Sequence, residues 1–275
     1  MNKKITDTLE VVAATPAEPL PGMPPLLFLH GAYTAAWCWQ EHFLSFFAAA
    51  GFHCYAPSLS GHGGSRRRER LDSYSIDDYV ADVAEAAAAL PVPPVLIGHS
   101  MGGFVVQKYL ENHAAPAAVL MCSVPPQGLA ASAFGMLFNR PGMLADLNRM
   151  MSGRQVALDS LREALFAQPV SVTDLARYYR MAQPESHRAI WDMTLFNLPH
   201  TQRALANLPG GRDNLLILGA EHDLIIPASL VEMTARSYGV DATIYPGMGH
   251  ALMLEADWRK PAQDIIDWLE QQVDK

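Results

Sequence analysis

Gly98-His99-Ser100-Met101-Gly102 follows the apolar run Pro94-Val95-Leu96-Ile97 and precedes Phe104-Val105-Val106-Gln107-Lys108-Tyr109-Leu110, a helical pattern. A serine between two glycines at a strand-to-helix turn is the arrangement of an exposed nucleophile. The turn is tight, and a Cβ at either glycine would collide with the strand or the helix. The hydroxyl then stands at a helix N-terminus, where the backbone field favours developing negative charge. Such a serine needs a base to take its proton and an acid to orient that base. Both should follow it in the chain, acid first. The acid candidates lie in Leu215-Leu216-Ile217-Leu218-Gly219-Ala220-Glu221-His222-Asp223, where an apolar strand ends in a short polar loop. Asp223 is the first choice and Glu221 the alternative. The base candidate is His250, in Gly247-Met248-Gly249-His250, after the strand-like Ala242-Thr243-Ile244-Tyr245.

The chain resembles the α/β-hydrolase fold superfamily, as a serine hydrolase of its esterase and lysophospholipase-like branch. The resemblance rests on Phe28-Leu29-His30-Gly31-Ala32, Leu59-Ser60-Gly61-His62-Gly63-Gly64-Ser65, Gly98-His99-Ser100-Met101-Gly102-Gly103, Gly219-Ala220-Glu221-His222-Asp223 and Gly249-His250, in that order. Trp37-Cys38-Trp39 is also similar to the small esterase and hydroxynitrile-lyase branch. Gly61-His62-Gly63-Gly64-Ser65 is similar to the lipase, lysophospholipase-like and ring-fission hydrolase branches. The resemblance implies a triad of Ser100, Asp223 and His250. It implies oxyanion donors at the Ala32 and Met101 N–H groups, and a loop-bracing part for His30. It implies no cofactor. His62 reads as structural.

The elements that must position these residues can be read from pattern. Strands are expected at Thr8–Ala13, Leu26–Leu29, His53–Ala56, Val95–Gly98 and Ala117–Met121, with helices at Trp37–Ala50 and from Ser75, its N-cap, to Leu90. Alternating strands and helices predict a doubly wound, mostly parallel sheet. Ligands then sit beyond the carboxyl ends of the strands, where all three triad candidates fall. The section before Leu26 is short, so one opening strand of the family's pattern is expected to be missing or rudimentary. Residues 125–205 break the alternation with successive helical patterns at Leu129–Phe138, Met143–Met151, Gln155–Phe166, Val172–Met181 and Glu185–Phe196. The expected organisation is an α/β core from 1–124 and 206–275, with 125–205 inserted as a helical lid. A lid rich in Met and aromatics predicts an apolar acyl or aromatic pocket. Tyr33, Met193 and Trp191 are its candidate substrate-binding residues.

Composition bounds the function. The chain has 275 residues, half of them hydrophobic and 17% charged, enough to bury a large core. A formal net charge of −8 argues against a nucleic-acid surface. Arg66-Arg67-Arg68-Glu69-Arg70 is the one basic run, expected as a solvated loop. Cys38, Cys54 and Cys122 show no paired or metal-binding spacing and read as core residues in a reducing compartment. The start lacks an apolar signal core, and no run is long enough to span a membrane. These points predict a cytoplasmic protein. Three convergent zinc ligands cannot be assembled from the histidines, and no phosphate loop or dinucleotide fingerprint appears, so neither metal nor cofactor is expected.

The expected activity is carboxylic ester hydrolysis on a small apolar substrate, through an acyl-enzyme. Alternatives are a carbon–carbon bond hydrolase acting on a diketone and a cofactor-free oxygenase or perhydrolase. A ligand-binding protein on the same scaffold is the remoter alternative. Fold and triad alone do not separate them.

Overall fold

A computed structural model describes residue 6, residues 8–66, 68–130 and 157–273, and the isolated positions 142, 145 and 149. The expected helices at Leu129–Phe138 and Met143–Met151 lie almost wholly outside the described residues. The strands are β1 (Val11–Ala14), β2 (Leu26–Leu29), β3 (Cys54–Pro57), β4 (Val95–His99), β5 (Ala118–Met121), β6 (Leu215–Ala220) and β7 (Ala242–Tyr245). They form one sheet in the order β1-β3-β2-β4-β5-β6-β7. Only β1 is antiparallel, pairing Val11 with Pro57 on β3. It is the only strand before Leu26 among the described residues, in line with a shortened opening.

Helices α1 (Trp37–Gln40), α2 (Phe43–Ala49), α3 (Ile76–Ala88), α4 (Met101–Tyr109), α5 (Leu158–Leu165), α6 (Val172–Met181), α7 (His187–Trp191), α8 (Thr201–Ala206), α9 (Ala228–Tyr238) and α10 (Arg259–Val273) cover the sheet and its upper edge. Successive strand side chains point to opposite faces, and both faces are buried. Leu26, Phe28, Ile97 and Val119 pack with Trp39, Phe43, Phe47 and Ile265 on one face. Leu27, Leu29, Leu96 and Leu120 pack with Val83, Phe104, Val105 and Val231 on the other. This explains why the central strands read as unbroken apolar runs.

Two expectations need correction. The single helix predicted at Trp37–Ala50 is broken into α1 and α2 around Glu41 and His42. The ring of His42 stacks on Trp258 at 4.7 Å, and the Glu41 carboxylate binds Arg177, so tertiary partners claim both residues at the break. The basic run is not all solvated. Arg66 forms an ion pair with Asp82 at 2.8 Å and donates to Ser60 Oγ at 3.0 Å. It fastens its loop to α3. Ser75 does cap α3, in a reciprocal capping box with Asp78.

β2 and β4 are neighbours, while β3 lies on the other side of β2. The chain therefore winds outward in both directions from the β2–β4 gap, which opens a crevice at the upper edge. Helices α5 and α6, inserted between β5 and β6, supply side chains over that crevice.

Candidate active site

Ser100 is the residue between β4 and α4, with φ 54° and ψ −116°. A non-glycine residue at positive φ is strained, and here the surroundings hold it. Its N–H donates to Met121 O at 3.0 Å, and its carbonyl accepts from Phe104 N–H and Val124 N–H. Gly102 permits the turn, because a Cβ there would stand 2.3 Å from the Leu29 carbonyl oxygen. Gly31 permits the loop after β2 to approach it, since its Cβ would meet His99 Nδ1 at 2.9 Å and Ser100 Cβ at 3.1 Å.

The loop after β6 carries Asp223 and the loop after β7 carries His250. His250 Nδ1 lies 2.7 Å from Asp223 Oδ2, with both side chains almost fully buried. The other carboxylate oxygen accepts the N–H groups of Ile225 and Ile226, each at 2.8 Å. Asp223 is thus locked by two backbone donors and can only accept from the imidazole. This geometry favours the tautomer with the proton on Nδ1 and the lone pair on Nε2. Glu221, the alternative acid, is half exposed; it accepts from Gly247 N–H at 2.8 Å and does not reach His250.

Ser100 and His250 line one cavity of about 130 Å³. Its floor is the loop Gly31 to Thr34, with Ala32 and Tyr33. Its walls include Trp37, Leu161, Leu165, Phe166, Tyr178, Met253 and Leu254. Tyr33 is thus where the sequence expects it. Met193 and Trp191 are not among the lining residues, and this corrects that expectation. Met193 is buried in the core beside Ala189 and Ala204, and Trp191 is exposed near Phe196. Their shared apolar character concealed opposite environments. Among the described residues, the N–H groups of Ala32 and Met101 donate to no protein acceptor. Met101 opens α4, where the first N–H groups have no partner in the helix.

His99 and Glu255 are positioning residues that no sequence pattern marks. His99 Nε2–H donates to the His250 carbonyl at 2.9 Å, and the two rings pack 4.7 Å apart. Burial and the neighbouring His250 push His99 down to about 3, so it braces the loop as a neutral ring. Glu255 accepts from Gly249 N–H at 2.6 Å and Ala167 N–H at 2.8 Å, fastening the His250 loop to the segment after α5. A buried acid five residues beyond the base was the only signal for it. His30 accepts from Leu59 N–H at 3.0 Å and donates to Gly31 O, bracing its loop as a neutral ring. Burial and the charge of His62 push it down to about 3.

Cys122, at φ 43°, follows β5 beneath Asp223. Its sulfur, an Asp223 oxygen and a His250 nitrogen lie within 4.8 Å of one another. Such a donor set could hold a soft divalent cation. Burial, the charge of Asp223 and a hydrogen bond to it hold the thiol well above its ordinary value, which suits an S–H donor to Asp223. No helix among the described residues is long and apolar enough to cross a membrane.

The family model described as "Alpha/beta hydrolase family" matches residues 26–263. The chain is 32% identical over 145 residues to epoxide hydrolase A of Mycobacterium tuberculosis, across 46% of this chain and 45% of that protein. It is 36% identical over 108 residues to a non-heme chloroperoxidase of Burkholderia pyrrocinia, across 37% of this chain and 38% of that protein. Both matches thus span less than half of the relative. Among solved structures, an esterase from Exiguobacterium antarcticum is similar with a TM-score of 0.67 at 18% identity, over 95% of each chain, a likeness of fold. The match over most of the chain, on a seven-stranded sheet wound about the β2–β4 crevice, means that the protein belongs to the alpha/beta hydrolase family.

Proposed function

We propose that this hydrolase cleaves carboxylic esters through an acyl-enzyme on Ser100. The observation that carries the reading is the buried 2.7 Å Asp223–His250 pair, whose His250 lines the same cavity as a strained serine. His250 Nε2 takes the Ser100 proton as Oγ attacks the ester carbonyl. Asp223 fixes the tautomer and stabilises the imidazolium. The oxyanion accepts from the Ala32 and Met101 N–H groups, each worth about 3–4 kcal/mol by comparison with side-chain donors elsewhere. His250 returns the proton to the alcohol as the C–O bond breaks. Water, deprotonated by His250, then attacks the acyl carbonyl; Ser100 leaves and regains its proton. Helices α5 and α6 act as a lid that dries the site.

The nucleophile's chemistry favours esters over epoxides. Serine attack on an epoxide leaves an ether, with no carbonyl for water to attack. The chloroperoxidase likeness favours a second reading, in which hydrogen peroxide replaces water at the acyl-enzyme and the product is a peracid. Labelling with a fluorophosphonate tests the nucleophile, and p-nitrophenyl acetate hydrolysis with and without peroxide tests the acyl acceptor. Absence of both labelling and p-nitrophenol release would overturn the proposal.

A further inference from the structure

Three aromatic rings form a panel along one wall of the cavity. Trp37 stacks on Tyr178 with centroids 5.6 Å apart and planes inclined by 20°. Phe166 stacks on Tyr178 at 6.1 Å and 15°. Trp37 comes from α1, Tyr178 from α6 and Phe166 from the end of α5, so the panel joins the core to the inserted helices. It is held from behind. The Arg177 guanidinium lies 4.8 Å from the Tyr178 ring centroid and donates to Glu41 Oε2 at 2.6 Å and Asp174 Oδ1 at 3.0 Å. That charge is spent within the protein. Among the described residues, no Asp, Glu, Lys or Arg lines the cavity.

We propose, building on the ester-hydrolase reading, that this cavity selects an uncharged acyl arm of benzene size, namely a benzoyl or short-chain acyl group, and excludes long fatty acyl chains. The volume decides the size class. At about 130 Å³ the cavity is close to the apolar cavity of about 150 Å³ that takes up benzene in another protein. The panel decides the shape. Rings stacked on one another make a stiff wall with little room to move aside for a bulkier group. The lining decides the charge. A carboxylate or ammonium on the acyl arm would lose its water and meet no opposite charge. A long acyl chain would overfill that volume. Trp37, Phe166 and Tyr178 are therefore the specificity-determining residues.

Boronic acids test this directly, because the boron-bound group takes the place of the acyl arm. The Ser100 Oγ lone pair forms the O–B bond, and its proton passes to His250. Inhibition by methyl-, n-butyl-, phenyl-, 4-carboxyphenyl- and n-octylboronic acid is compared on the intact chain, with fluorophosphonate labelling of Ser100 alongside. Phenyl- and n-butylboronic acid should bind roughly tenfold or more tightly than the n-octyl and 4-carboxyphenyl compounds, the cost of overfilling or charging a packed site. Tyr178→Ala should narrow the gap between phenyl and octyl. Ala164→Leu, which fills the cavity from α5, should weaken phenyl but not methyl. Equal or tighter binding of the octyl compound by a chain that still labels would overturn the size limit and leave the hydrolase reading standing. Failure both to label and to bind any boronic acid would overturn the two together.

Discussion

His62 Nε2 lies 3.1 Å from Glu185 Oε2, and both side chains are fully shielded from water. The contact is an ion pair rather than a well-aligned hydrogen bond. Tyr79 donates to the other carboxylate oxygen at 2.6 Å, as does Ser186 N–H at 2.8 Å. His62 Nδ1–H points to Ser60 O. The pair ties the segment before α7 to the loop after β3. Gln183 adds to it, accepting from Gly63 N–H and donating its own N–H to Tyr33 O on the cavity floor.

This pair should make stability depend on pH. Burial alone would lower His62, but the close Glu185 carboxylate and the Ser60 carbonyl outweigh it and hold His62 above 6.5. Burial alone would raise Glu185, but His62, Tyr79 and Ser186 N–H hold it below 4.5. The His62 contribution is complete below 6.5 and fades as pH rises through its raised folded value. The Glu185 contribution is complete above 4.5 and fades as pH falls through its lowered folded value. Glu185→Gln should therefore cost most, about 3–5 kcal/mol, near pH 5–6 and progressively less toward alkaline pH. Chemical denaturation of both proteins across pH checks this. A margin constant from pH 5 to 9 would show that the pair does not form.

Ser100→Ala should abolish ester hydrolysis, by roughly 10⁴-fold or more, while the melting temperature stays close to that of the parent. Alanine meets the same backbone demand at φ 54°. A purified variant that kept a tenth of the activity would show that Ser100 is not the covalent nucleophile.

Asp223→Asn should cut kcat by roughly 10³–10⁴. The N–H groups of Ile225 and Ile226 both point at Oδ1, so the amide oxygen must take that position. The amide NH₂ then faces His250 Nδ1 and forces the proton onto Nε2, the wrong tautomer for a base. Glu221→Gln should leave kcat within a few-fold. The reverse ranking in steady-state kinetics would reassign the acid.

Met193→Ala should lower stability by about 2–5 kcal/mol, as a large-to-small change in a packed core. Met193 is 1% exposed. Trp191→Ala, at a site 57% exposed, should stay within about 0.5 kcal/mol. Neither should move the acyl preference. Urea denaturation and a p-nitrophenyl ester series read both effects, and a shifted preference would mean that these residues reach the substrate.

The candidate site positions lie on turns and loops that local sequence makes recognisable, because local physics dictates them. The Gly98–Gly102 turn, the acid-bearing loop after β6 and the His250 loop after β7 each join an element recognisable by its own pattern. Parallel winding then brings those ends to one edge. The Ser75 cap and α6, at Val172–Met181 as expected, are equally local. What no periodicity encodes is which of two nearby partners wins. Asp223 rather than Glu221 meets His250 because two backbone N–H groups, from a turn that exists only once folded, aim its carboxylate. Trp37, Phe166 and Tyr178 are far apart in sequence, and only packing between α1, α5 and α6 makes them a panel. Met193 and Trp191 stand two residues apart on adjoining helical turns, and side-chain type could not say which one faces the core. His62 and Glu185 likewise became a buried pair only when the inserted helices closed over the sheet, where removal from water makes each charge depend on the other.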